Sequence, residues 1–310
     1  MKHVELYAPR TTRHRRTWTA AAIPLIVLFF IAGQLLTIFG ILKPMGFHQA
    51  DLATQWQPLT IQLLGFGFTA LLVLAWAWLF ERRSPATLGL NGDALLRYGR
   101  GLLVGAGFLF ASIGLAWALG GYKIEGFGVW TGPSPALFLP ILCIFGGFMV
   151  QGATEELMLR GWLMQLVASR HGLVVAILIN SLIFALLHAG NIEPSPELVL
   201  ALVNLVLFAV MISLYAIKEG SLWGVCAWHS MWNTLLGVGF GLDVSGGKIA
   251  VQSLVVDLAP AQGAPWWLTG GAFGPEASVA TSAVLLAGVV YFLATGAMRQ
   301  GQRYSAPGLG

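Results

Sequence analysis

Glu155, Glu156 and Arg160 stand in QGATEELMLR, residues 151–160, inside an apolar run that reaches from Pro135 to Leu166. Two further apolar runs each carry an imidazole. His188 lies in FALLHAGN, residues 184–191, and His229 opens HSMWN, four residues ahead of Asn233. Hydrolysis of an amide needs a base that activates water, an acid for the leaving amine and donors that hold the developing oxyanion. Glu155 with His188 on the same water fits the first two parts, and His229 with Asn233 fits the third. No serine or cysteine stands in a nucleophile motif, which favours direct attack by water.

Each of these groups taken alone has a plainer explanation, since an isolated His or Asn in a membrane span is as often a hydrogen bond between helices. Their combination points to chemistry. A charged side chain at the centre of a bilayer costs about 2.5–3.5 kcal/mol on insertion scales, so three within a turn and a half must be paired or face a wet cavity. Glu156 and Arg160 are four apart and share a helix face, whereas Glu155 points about a third of a turn away. The spacing assigns Glu156 and Arg160 to a supporting ion pair and Glu155 to chemistry. His229 and Asn233, also four apart, aim into one space.

The elements that must hold these groups are membrane helices. The 310 residues are 57% hydrophobic and 10% charged, with a mean hydropathy of +0.77. A soluble domain carries about a quarter charged residues. Taking about 20 apolar residues per crossing, we read an all-α, polytopic membrane protein with eight spans: 18–42, 59–80, 101–120, 136–166, 173–188, 198–217, 222–240 and 278–298. The fourth is long enough to tilt or kink, with Gly146-Gly147 as the expected bend. A short amphipathic helix is expected over 92–97, within a loop at 82–100. Residues 1–17 form a basic tail, 18–298 one membrane domain with its core at about 136–241, and 299–310 a second tail. The first span is too long for a signal-peptide core and is expected to remain as an anchor.

Of the 17 Lys and Arg, 13 fall on one side of this arrangement: Lys2, Arg10, Arg13, Arg15, Arg16, Arg82, Arg83, Arg97, Arg100, Arg170, Lys218, Arg299 and Arg303. Lys43, Lys123 and Lys248 fall on the other. The expected location is a bacterial inner membrane, and the asymmetry predicts that both termini are cytoplasmic. It also accounts for the net charge of +4, so nucleic acid is not an expected partner. The bilayer and a membrane peptide or protein presented from the cytoplasmic side are the expected ones. Cys143 and Cys226 lack CxxC or CxxH partners and read as packing residues. At 1.5 Å per residue, Glu155, His188 and Asn233 lie roughly 20–24 Å from the cytoplasmic ends of their spans, and His229 roughly 14 Å. A shared layer follows for three of the four.

Glu155-Glu156-x-x-x-Arg160, Phe184-x-x-x-His188 and His229-x-x-x-Asn233, in that order on successive spans, resemble the CPBP family of CAAX proteases and bacteriocin-processing enzymes, which includes the type II CAAX prenyl endopeptidases. The similarity covers about residues 136–241, preceded by a family-like lead-in at Arg82, Arg83 and Leu88-Gly89-Leu90. The resemblance implies an eight-helix intramembrane endopeptidase acting on a membrane-associated or prenylated substrate. It assigns Glu155 and His188 to water, His229 and Asn233 to the oxyanion, and Glu156 with Arg160 to support. No cofactor is favoured. Zinc is the alternative, with Glu155, His188 and His229 as ligands, although catalytic zinc needs three good protein ligands plus water and HExxH is absent. The competing readings are a non-enzymatic bacteriocin-immunity or assembly scaffold and a proton-coupled transporter.

Overall fold

A computed structural model describes residues 4–9 and 11–301. Of the expected basic set, Lys2, Arg10 and Arg303 lie outside the described residues, as does most of the second tail. The chain is an all-α polytopic membrane protein. Its helices are α1 (Thr19–Thr37), α2 (Trp56–Leu79), α3 (Ala94–Ala118), α4 (Pro135–Glu156), α5 (Met164–His171), α6 (Leu173–Leu187), α7 (Pro196–Glu219), α8 (Trp223–Thr234), α9 (Trp266–Thr269), α10 (Val279–Ala294) and α11 (Ala297–Gln300). Among the described residues five segments are long and apolar enough to cross a bilayer: Thr19–Leu42, Trp56–Leu79, Ala94–Ala118, Pro135–His171 and Pro196–Glu219. The other three expected spans are the shorter helices α6, α8 and α10.

Three details depart from the sequence expectations. The amphipathic segment at 92–97 is no separate helix: Asp93 caps α3 by accepting from the Leu96 amide at 3.2 Å, which starts that helix seven residues before the expected span. The fourth span runs helically through Gly146-Gly147, and Gly147 instead lets α4 close on Leu63 of α2. Its irregularity is a π-helical segment, Leu157–Leu163, immediately after the two glutamates. Such π-bulges recur at functional sites. Finally, a small antiparallel pair, β1 (Tyr122–Gly126) and β2 (Asp257–Pro260), joins two loops outside the helices, with Tyr122 opposite Pro260 and a bulge after Ile124.

α4 packs between α2 and α8, and α3 covers α8 from the other side. Small residues make this possible. A Cβ on Gly101 would stand 2.2 Å from the Gly224 carbonyl oxygen, and one on Gly105 would stand 2.6 Å from that of Trp228. Gly101-x-x-x-Gly105 therefore presses α3 backbone against α8 backbone, the kind of close approach that drives helix association where lipid removes the hydrophobic advantage. On the opposite flank, a Cβ on Gly152 would stand 3.2 Å from the Ser230 amide, so α4 too lies close to α8.

The two ends of the bundle differ. At the basic end Arg170 donates to the Thr17 and Arg16 carbonyls, Arg83 to Gln165 and to the Thr87 carbonyl, Arg97 to the Glu219 carbonyl, and the Leu222 amide to the Gly89 carbonyl. At the opposite end the loop at 241–277 binds the other connections: Asn191 donates to the Ser245 carbonyl at 2.8 Å and Trp130 to that of Leu254 at 2.7 Å.

Candidate active site

Glu155 and Glu156 occupy the last turn of α4, where the helix passes into its π-helical segment, and all of Leu157–Leu163 is buried. Glu156 and Arg160 are fully buried, with Arg160 Nη1 donating to Glu156 Oε1 at 3.1 Å. The same carboxylate oxygen lies 2.9 Å from His229 Nδ1. Removing one partner of such a buried pair is costly, and here a third partner comes from α8, while Glu156 Oε2 and Arg160 Nε and Nη2 have no hydrogen-bond partner among the described residues. Arg160 also packs against aromatic faces, its guanidinium carbon standing 4.7 Å from the Phe184 ring centre and 5.7 Å from that of Phe208.

With Nδ1 engaged by Glu156, His229 turns Nε2 toward Glu155, whose Oε2 is 3.8 Å away. Glu155 Oε1 accepts from the Gln151 side chain at 2.5 Å, and Oε2 has no hydrogen-bond partner among the described residues. Gln151 also accepts from Asn233 Nδ2 at 3.0 Å. One amide thus links the α4 carboxylate to the α8 carboxamide. His188 sits just past the end of α6, with Nδ1 2.8 Å from the Phe184 carbonyl oxygen. That contact turns its Nε2 away from its own helix.

Glu155, His188, His229 and Asn233 all line one cavity of about 460 Å³. Phe30 of α1, Leu59, Leu63 and Phe66 of α2 and Phe148 of α4 give it an apolar wall. α6 has 15 residues, about 22 Å of helix, short of the ~30 Å hydrocarbon core. His188 follows directly as the residue that ends the helix, and it lines the chamber.

Two lining residues were not assigned a role by the sequence reading. Gln151 had a legible signal, because it precedes Glu155 by four and so shares its face. Glu276 had none: it lies in a loop and accepts from Trp232 Nε1 at 3.1 Å, the Ser245 amide at 2.6 Å and the Ser245 hydroxyl at 2.9 Å, tying α8 to the loop over the cavity. Among the described residues, no group of three or more His, Cys, Asp or Glu is gathered so as to hold a metal ion. Glu155, His188 and His229, the alternative zinc ligands, are not gathered in that way.

Residues 134–235 match the family model described as type II CAAX prenyl endopeptidase Rce1-like. The resemblance read from the three motifs holds over that stretch, which contains every candidate catalytic residue. A peptidase is the activity this family implies. No curated protein and no solved structure matches the chain.

Proposed function

We propose that this protein is an intramembrane endopeptidase in which Glu155 and His188 activate a water molecule that cleaves a peptide bond of a membrane-associated substrate. The observation that carries the reading is the shared cavity, which Glu155 of α4, His188 at the end of α6, and His229 and Asn233 of α8 all line beside an apolar wall. Glu155 takes the proton of the attacking water on Oε2 and returns it to the leaving amine, while His188 orients the same water. The tetrahedral oxyanion accepts from Asn233 and from His229, which donates through Nε2 when both ring nitrogens are protonated. Gln151 holds Glu155 and Asn233 at their separation, and Glu156 with Arg160 fixes the His229 ring.

Purified protein in detergent, given a panel of apolar membrane peptides, is expected to cleave at least one of them. Glu155→Gln and His188→Ala are expected to lower that rate by about 10²–10⁴-fold, the range of general acid–base contributions, without changing the unfolding midpoint. Equal cleavage by wild type and Glu155→Gln would end the proposal. Cleavage that survives exhaustive chelation, in protein free of zinc by elemental analysis, is the result expected of a carboxylate mechanism.

A further inference from the structure

The cavity is not symmetric between the two ends of the bundle. Its polar rim consists of Gln49, Asn191, Ser245, Lys248 and Glu276, all in connections at the end opposite the basic one. Among the described residues no connection at the basic end lines it. Toward that end the space beneath Glu156 and Arg160 is packed: Leu88, Trp162 and Leu222 are fully buried, and the buried Tyr7 donates its hydroxyl to the Arg160 carbonyl at 3.1 Å. A Cβ on Gly161 would stand 2.8 Å from the Leu88 carbonyl oxygen, so no gap separates the π-helical segment from the loop below it. Further out, the fully buried Glu81 accepts from the Thr17 hydroxyl at 2.7 Å, from Trp162 Nε1 at 3.2 Å and from Arg83 at 3.0 Å, closing the same side with a second polar layer.

Charge identifies the ends. Among the described residues Arg13, Arg15, Arg16, Arg82, Arg83, Arg97, Arg100, Arg170, Lys218 and Arg299 belong to the sealed end, against Lys43, Lys123 and Lys248 at the open one. Loops rich in Lys and Arg stay in the cytoplasm.

We propose that the substrate reaches Glu155 from the extracytoplasmic face, as an apolar segment of a membrane-anchored peptide or protein displayed on that side. This rests on the peptidase reading above and reverses the cytoplasmic presentation expected from sequence. A C-terminal tail carried on the cytoplasmic surface meets the sealed end, whereas a segment descending from the other leaflet meets the polar rim first and then the apolar wall of α1, α2 and α4.

Lys248 and Ser84 are exposed, at the open and sealed ends respectively, and single cysteines there test the proposal in the otherwise native chain, whose own Cys143 and Cys226 set the blank. In intact cells a membrane-impermeant maleimide is expected to label Lys248→Cys, and Ser84→Cys only after permeabilisation. The reverse pattern would overturn the proposal. In purified protein a bulky maleimide on Lys248→Cys is expected to slow cleavage at least about tenfold, equivalent to ~1.4 kcal/mol, and the same adduct on Ser84→Cys to leave it unchanged. Unaltered cleavage with Lys248→Cys modified would also overturn it. Labelling is read without any cleavable peptide, so loss of the peptidase reading and loss of the orientation are separate results.

Discussion

Glu156 Oε1 lies 2.9 Å from His229 Nδ1 and 3.1 Å from Arg160 Nη1, so one buried carboxylate oxygen joins the π-helical segment to α8. Removing the carboxylate leaves Arg160 unpaired in a fully buried site. Glu156→Ala is expected to destabilise the protein by about 3–5 kcal/mol, the cost of breaking a buried pair from one side. Glu156→Gln retains a hydrogen-bond acceptor and is expected to cost less. Unfolding midpoints in detergent rank the two, and equal midpoints would contradict the pairing.

Gln151 is expected to matter for rate rather than stability. Gln151→Leu removes one hydrogen bond to a carboxylate and one from Asn233. A charge-assisted bond contributes about 1.5–3 kcal/mol, or about 10- to 100-fold in rate. The loss is expected in kcat with KM little changed, because Gln151 orients Glu155 and Asn233 instead of gripping the rest of the substrate. A change confined to KM would refute that role.

The α3–α8 contact makes a sharper structural test. At Gly105 a Cβ meets backbone atoms of Trp228 at 2.6 and 2.9 Å, while at Gly107, on the same helix, it meets nothing within 4 Å. Gly105→Val is expected to cost about 1–3 kcal/mol as an overpacked site and to lower cleavage, because α8 carries His229 and Asn233. Gly107→Ala is expected to be neutral or stabilising by about 0.5–1 kcal/mol, since Ala loses less backbone freedom in a helix. Matched melting curves for the two variants check both directions.

Tyr7 closes the site from below. Its hydroxyl donates to the Arg160 carbonyl, and its own carbonyl accepts from Asn91 at 3.2 Å. Burial, reinforced by the charge of Glu156, pushes the phenol's pKa well above its ordinary value, so it remains a donor across the working pH range. Tyr7→Phe is expected to cost about 1 kcal/mol, and Tyr7→Ala about 3–5 kcal/mol through the cavity it opens. Thermal unfolding that is unchanged in Tyr7→Ala would show that the segment does not seal the bundle.

The membrane class, the helical architecture and the candidate polar set were legible in the chain itself, because a buried charge in lipid is costly enough to stand out from any apolar background. Helix periodicity also separated Glu155 from the Glu156–Arg160 pair. What the linear order withheld was contact between helices. Periodicity says which face of α4 carries Glu156, but not that His229 of α8 lies against it, nor that the Gln151 amide spans to Asn233. The gathering of the four candidates around one cavity depends on Gly101, Gly105 and Gly152 letting backbones approach, and on α6 ending at His188. The same holds for the open end. Basic residues mark the ends of the bundle from sequence, yet only the packing of Tyr7, Leu88, Trp162 and Leu222 beneath the glutamates decides which end is closed, since a seal is made by side chains from four distant segments filling one volume.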